Sequence, residues 1–307
     1  MTLDQVIFKE IDYVYNPFQN RFLKVQEYRK HVKSVKDIVY DESLPEVCVL
    51  DTYELKEETK EKRPLVFNIH GGGFVAGDKK YREQLCSWFA TELNAFVVNI
   101  NHGLGPTYHF EDSIKHVVSA VNWAYDNADK YNFDIANSII TGDSSGGYFA
   151  AQVGAITDSK YMQEKLECKP KFRFKGMLLN CGIYDVNKAL SAKTAFDLTD
   201  KVSFSFTGYE TKDLDKYKYT DVLSSLPYIT SSFPKTCVIY AEKDVFCGGQ
   251  GEAMIEKLKE QNVYYEELHS TTLVDNHTFQ STWTSRMAKK ANNLFIDFAK
   301  RLLKDEI

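Results

Sequence analysis

From position 64 onward, short apolar runs alternate with longer stretches in which apolar residues recur every three or four positions. The runs at 65–69, 95–100, 138–141, 176–181 and 236–241 are too short for helices and rich in Val, Ile, Leu and Phe, which predicts buried strands. Between them, 81–93 and 111–125 carry helical periodicity; in the second, Ile114, Val117, Val118, Val121 and Tyr125 fall on one stripe. Glu111 and Asp112 open that helix and complement its dipole. The C-terminal stretch repeats the pattern with Met287, Ala291, Leu294, Phe295, Phe298 and Leu302. A further strand-like segment spans 262–269. Strands alternating with amphipathic helices predict an α/β fold, a mostly parallel central sheet flanked by helices.

The alternation breaks twice. Residues 187–232 are rich in Lys, Asp, Thr and Ser yet carry Phe196, Phe204, Phe206 and Tyr209, as expected of an insertion above the sheet's active edge. Residues 1–45 mix Val6, Ile7, Phe8, Ile11, Tyr13, Tyr15, Phe18 and Phe22 with charges. The plainest reading of this segment is a helix packed on the core. The organisation expected is therefore a core of 46–186 and 233–307, an inserted cap at 187–232, and an N-terminal segment, 1–45, as a further cap part. There is no internal repeat.

Candidate chemistry sits at the ends of the predicted strands. Gly142-Asp143-Ser144-Ser145-Gly146-Gly147 joins a strand to a helix and flanks Ser144 with glycine two residues away on each side. That spacing fits a turn that lifts a nucleophilic hydroxyl above the sheet, although alone it equally fits a glycine-rich turn that packs helix against strand. His70-Gly71-Gly72-Gly73-Phe74 follows another strand and exposes bare amides suited to an oxyanion. Phosphate binding would require G-x-G-x-x-G or G-x-x-x-x-G-K-[ST] spacing, and neither is present. Asp244 follows the run at 236–241 and His277 comes later still, so the chain order is Ser, Asp, His. Asp275 is the rival acid, but it would have to fold back onto an imidazole two residues away. His269 reads as structural, His102 and His109 as neighbours of the pocket, His70 as a brace of the glycine loop, and Asp143 as an anchor of the serine turn.

The paired H-G-G-G and G-D-S-x-G-G motifs resemble the hormone-sensitive-lipase-like branch of the α/β-hydrolase fold, over about Leu65 to His277. The resemblance implies the α/β-hydrolase fold with a helical cap, in which the N-terminal segment joins the later insertion and its aromatics line an acyl pocket. It implies Ser144 as nucleophile, Asp244 as orienting acid, His277 as general base, and Gly72, Gly73 and Ser145 as oxyanion donors, with His70, Gly71, Asp143 and Phe74 supporting the pocket. The activity implied is that of a serine carboxylesterase acting through an acyl-enzyme, without cofactor or metal. Small or short-chain acyl esters are the expected substrates, because nothing in the composition suggests an interfacial lipid-binding surface. Two departures bear on substrate choice: Ser145 stands where alanine is common, and Asn101-His102-Gly103-Leu104-Gly105-Pro106 replaces a tyrosine-arginine-leucine-alanine-proline stretch. Amide hydrolysis of an arylformamidase-like or peptidase-like kind uses the same residues, and a non-catalytic ligand-binding protein would require a missing member of the triad.

Composition narrows the setting. A chain of 307 residues suits one α/β unit with insertions, and its net charge of −5 leaves no basic footprint for nucleic acid or an anionic membrane. The first residues lack a basic segment followed by an apolar one, and no run approaches the ~18 apolar residues of a bilayer span, so a cytoplasmic protein without stable membrane association is expected. Six cysteines form no C-x-x-C pair. Cys181 and Cys237 read as core residues and Cys247 as an inert thiol, implying neither disulfide nor metal. The oligomeric state is left open, a homodimer included.

Overall fold

The computed structural model describes residues 4–10, 25–191, 197–283 and 285–307. Tyr13, Tyr15, Phe18, Phe22, Ile11 and Phe196 of the expected cap lie outside the described residues. Eight strands form one sheet: β1 (Val32–Val39), β2 (Val49–Leu55), β3 (Arg63–Ile69), β4 (Phe96–Ile100), β5 (Phe133–Asp143), β6 (Gly176–Asn180), β7 (Lys235–Ala241) and β8 (Tyr265–Ser270). Their spatial order is β1-β2-β4-β3-β5-β6-β7-β8. The first two pairings are antiparallel and the rest parallel. Parallel neighbours need crossovers, and helices supply them on both faces, which is why β4 and β6 are buried throughout.

One face is covered by α4 (Phe110–Asn127), α5 (Ser145–Asp158), α6 (Lys160–Leu166) and α9 (Gln250–Glu260), the other by α3 (Glu83–Glu92) and α10 (Arg286–Leu303). The stripe of α4 buries Ile114, Val117, Val118 and Val121, and Asp112 accepts the N–H of His109 at the helix start. Tyr125, expected on the same stripe, instead remains 46% exposed and stacks on Phe172. In α10, Ala291, Phe295, Phe298 and Leu302 are buried. No helix among the described residues is long and apolar enough to cross a membrane.

The N-terminal boundary at 45 requires correction. Residues 32–39 are not part of a cap: they form β1, the antiparallel edge of the sheet. Before them come α1 (residues 4–10) and α2 (Val25–His31). Among its described residues the 187–232 insertion carries α7 (Val186–Ser191), α8 (Leu198–Thr207) and three short 3-10 turns.

A buried polar cluster ties the edge of the sheet to the segment after the glycine loop. The Lys79 ammonium lies 2.6 Å from Asp51 on β2 and 2.6 Å from Asp37 on β1, and the Asp51 carboxylate also accepts from the Asp37 amide. The Lys79 amide donates to Asn101 (2.7 Å), while its carbonyl accepts from Asn99, which in turn accepts from Asn68. Burial opposes both charges, yet the pairing leaves Lys79 with a raised pKa and Asp51 with a lowered one. Removing Asp51 leaves the buried Lys79 ammonium only the largely exposed carboxylate of Asp37, a loss of the kind that follows when a buried pair is broken. Asp51→Ala should therefore lower unfolding free energy by about 3 kcal/mol, read as a reduced midpoint in urea with unchanged slope.

Candidate active site

Ser144 sits between β5 and α5 at φ 54°, ψ −122°, a left-handed strained conformation for a residue with a side chain. The strain is held by close backbone packing. A Cβ on Gly146 would lie 2.1 Å from the carbonyl oxygen of Ile69, so only glycine lets the first turn of α5 approach β3. The Ser144 amide donates to Asn180 at the end of β6 (2.9 Å), fixing the turn from the other side.

The glycine loop after β3 lies against this turn. A Cβ on Gly71 would fall 2.6 Å from Asp143 and 3.1 Å from the Ser144 Cβ. Gly72, Gly73 and Phe74 follow at φ 142°, 62° and 68°, and the loop is closed by the Ala76 amide donating to Gly72 (3.0 Å) and the Gly105 amide donating to Phe74 (2.9 Å). Phe74 stacks on Phe206 of α8, with ring centroids 3.9 Å apart.

His277 Nδ1 is 2.9–3.0 Å from both carboxylate oxygens of Asp244. Asp244 Oδ1 also accepts the amides of Phe246 (2.9 Å) and Cys247 (2.8 Å). Burial alone would push the Asp244 pKa up, but the charge and hydrogen bond of His277, with the two amides, outweigh it and hold the carboxyl below its ordinary range. Asp275 is engaged elsewhere, accepting from Ser270 (2.7 Å) and Thr272 (2.6 Å). His269 stacks on Tyr240.

Asp143, next to the serine, is gripped by Arg82 through two hydrogen bonds, Nε to Oδ1 at 2.7 Å and Nη2 to Oδ2 at 2.6 Å. Burial pushes this carboxyl up and the guanidinium more than reverses it. His70 Nδ1 is 2.9 Å from the Gly71 carbonyl, and its ring stacks on His102 at 4.9 Å. Burial drives the pKa of both imidazoles down, so both are neutral braces. His102 and His109 were expected beside the pocket, but neither is among the described residues that line it: His102 is packed under the glycine loop and His109 caps α4.

That pocket is an apolar cavity of about 80 Å³ with Ser144 in its wall. Gly73 and Phe74 line the loop side, Phe8 of α1 and Phe246 the mouth, and Val202 and Phe206 of α8 the roof. Phe8 rests on the glycine loop so closely that a Cβ on Gly73 would meet its ring at 2.5 Å. Phe246 bridges outward to Phe8 (6.0 Å) and inward to the His277 ring (5.1 Å). The sequence reading missed Arg82, Lys79 and Phe246. Lys79 and Arg82 lie in a charged run, Asp78 to Glu83, that looks like a solvated surface. Phe246 is 38% exposed and belongs to no periodic segment.

The BD-FAE family model matches residues 50–258, more than half of the chain. Arylacetamide deacetylase of Bos taurus is 38% identical over 105 residues, covering 33% of this chain and 26% of that protein. Neutral cholesterol ester hydrolase 1 of Pongo abelii is 35% identical over 144 residues, covering 45% of this chain and 32% of that protein. The matched stretches thus span about a quarter to a third of these two relatives. Among solved structures, an inhibited esterase B from Lactobacillus rhamnosis superposes with a TM-score of 0.82 at 21% identity, covering 99% of this chain and 96% of that one. A bacterial heroin esterase superposes at 0.76 and 17%, covering 99% and 94%. The architecture is the α/β-hydrolase fold.

The Arg82–Asp143 pair makes a signed prediction. Because Asp143 is held below the ordinary 3.8 in the folded chain, the pair stabilises the fold above that pH, and the stabilisation is lost as pH falls through the folded value. Arg82→Leu should cost about 3 kcal/mol at neutral pH, with the gap to wild type closing below pH 3.8 in urea unfolding series.

Proposed function

The chain belongs to the BD-FAE family, and from that premise we propose that it is a serine carboxylic ester hydrolase that cleaves small, short-chain acyl esters through an acyl-enzyme. One observation carries the reading: a strained serine turn, a bare-amide loop packed on it, and an apolar cavity with that serine in its wall meet at one edge of the sheet.

In this mechanism the Asp244 carboxylate holds His277 by Nδ1, which leaves Nε2 to accept the Ser144 proton as the hydroxyl attacks the ester carbonyl. The amides of Gly72, Gly73 and Ser145 receive the oxyanion. Ser145 opens α5, where first-turn N–H groups lack intrahelical acceptors and the dipole favours negative charge. Each such donor is typically worth ~3 kcal/mol in the transition state. His277 then returns the proton to the leaving alcohol and activates water against the acyl-enzyme. Asp143 takes no proton, since Arg82 occupies both of its oxygens.

The acyl group lies in the cavity, and its size supports the short-chain preference. At roughly 10–15 Å³ per water, the cavity's 80 Å³ is the space of about five to eight waters, suited to a short chain. Residues 187–232 and α1 act together as the cap: Ser205 of α8 donates to Asp4 of α1 at 2.6 Å, joining the two. Amide hydrolysis is the second reading, favoured by the match to a protein named an arylacetamide deacetylase.

Hydrolysis of p-nitrophenyl esters from acetate to laurate, alongside an aryl acetamide, separates these readings. Ser144→Ala should abolish turnover and Asp244→Asn should lower kcat by about 10⁴, whereas Asp275→Asn should stay within a few-fold of wild type. Survival of activity in Ser144→Ala would remove the serine from the mechanism. Phe8→Ala, which opens the mouth of the cavity, should shift the preferred acyl length upward by several carbons, measured as kcat/KM across the ester series.

A further inference from the structure

Cys181, Asp244 and His277 are spread across almost a hundred residues but are brought together by three consecutive strand ends, those of β6, β7 and β8. The Cys181 sulfur, a carboxylate oxygen of Asp244 and a ring nitrogen of His277 all lie within 4.8 Å of one another. We propose that these three side chains form a latent site for a thiophilic divalent cation of the zinc type, and that loading it switches the hydrolase off. The kinetic consequence rests on the role assigned above to His277; the binding itself does not.

The donor set is the first argument. Sulfur, nitrogen and oxygen in one cluster suit borderline-soft Zn²⁺ and disfavour hard cations, which take oxygen ligands. Tetrahedral zinc with ordinary bond lengths holds its ligands ~3.3–3.8 Å apart. The His277–Asp244 contact of 2.9 Å must therefore open by about half an ångström, while the sulfur, within 4.8 Å of both partners, closes by at most about an ångström. Three protein ligands leave a fourth position for water.

Charge is the second argument. Cys181 and Asp244 are buried and His277 is partly so. A thiolate and a carboxylate neutralise the cation in full, so the loaded site buries no net charge. The proton balance is simple. Cys181 enters as a thiol, and binding releases its proton to solvent. His277 gives its Nδ1 lone pair to the metal and carries its single proton on Nε2. An imidazole in that state cannot accept the Ser144 proton, so catalysis stops while the fold is kept.

Backbone geometry supports the placement. Cys181 lies in the left-handed region at φ 48°, its amide donating to Ile239 at 2.8 Å. That bond ties it to β7, the strand that delivers Asp244. A second buried thiol, Cys247, is adjacent in sequence to the Asp244 turn and provides an internal control.

The test uses the full chain and two readouts. Co²⁺ titration, followed by thiolate-to-cobalt charge-transfer absorbance, should show one site in wild type and in Cys247→Ala, and none in Cys181→Ala or Cys181→Ser. Zn²⁺ should inhibit p-nitrophenyl acetate hydrolysis, with the inhibition constant rising roughly 100-fold in whichever Cys181 variant is soluble; fractional inhibition is read, so basal rates do not enter. Equal zinc sensitivity in the Cys181 variants, or a charge-transfer band that follows Cys247, overturns the proposal. A wild type without ester hydrolysis but with a Cys181-dependent band would defeat the esterase reading alone; hydrolysis without that band would defeat the metal site alone.

Discussion

The contact on which the rest of the site depends is backbone against backbone. Gly71 lies against Asp143 and Ser144, and Gly146 lies against Ile69, with no room at either place for a methyl group. Such contacts place the ends of β3 and β5 so close that a loop of amides and a strained serine share one small volume. Side chains could not hold this spacing, because each would need room of its own. What keeps the two turns from relaxing apart is polar clamping behind them: Arg82 on Asp143, and Lys79 on Asp51 and Asp37. Residues 71–82 thus start in the site, where Gly71 packs on the serine turn, and end in two ion pairs, Lys79 to the first two strands and Arg82 back to Asp143.

The apolar half of the site is assembled differently. Phe8, Phe74, Phe206 and Phe246 come from an N-terminal helix, the glycine loop, the inserted helices and the turn after Asp244. None is close to another in sequence, and aromatic rings, with large area and few rotatable bonds, are suited to joining such unrelated segments. The cavity is therefore a property of the packing between core and insertion, and not of either alone.

Sequence legibility followed this division. The runs that became β3, β4, β6 and β7 stood out because both faces of these strands are covered, which leaves continuous apolar residues. β1 was absorbed into the N-terminal segment because most of its residues face solvent. β2 was hidden by Asp51, a charge whose buried partner lies on a different segment. The glycine motifs were readable, since backbone requirements write themselves directly into residue type, and of the Ser, Asp, His order the structure brings Asp244 and His277 into contact. Arg82 was not, because a guanidinium that grips a buried carboxylate looks, in one dimension, like any surface arginine. Tyr125 shows the converse: a correct helical period with a neighbouring ring, Phe172, in place of the core.

The stack of Phe74 on Phe206 joins the amide loop to α8. In the proposed mechanism one of these rings is fixed to the oxyanion donors and the other to the cap, so the two cannot be tuned separately. Under that mechanism, a shift of the inserted helices would move the ring that bears on the donor loop, tying the seating of the helices to the alignment of the donors through this one stack. Selectivity and rate are then one coupled property: a redesign that loosened the cap to admit larger acids would also detune the hole that stabilises their transition state.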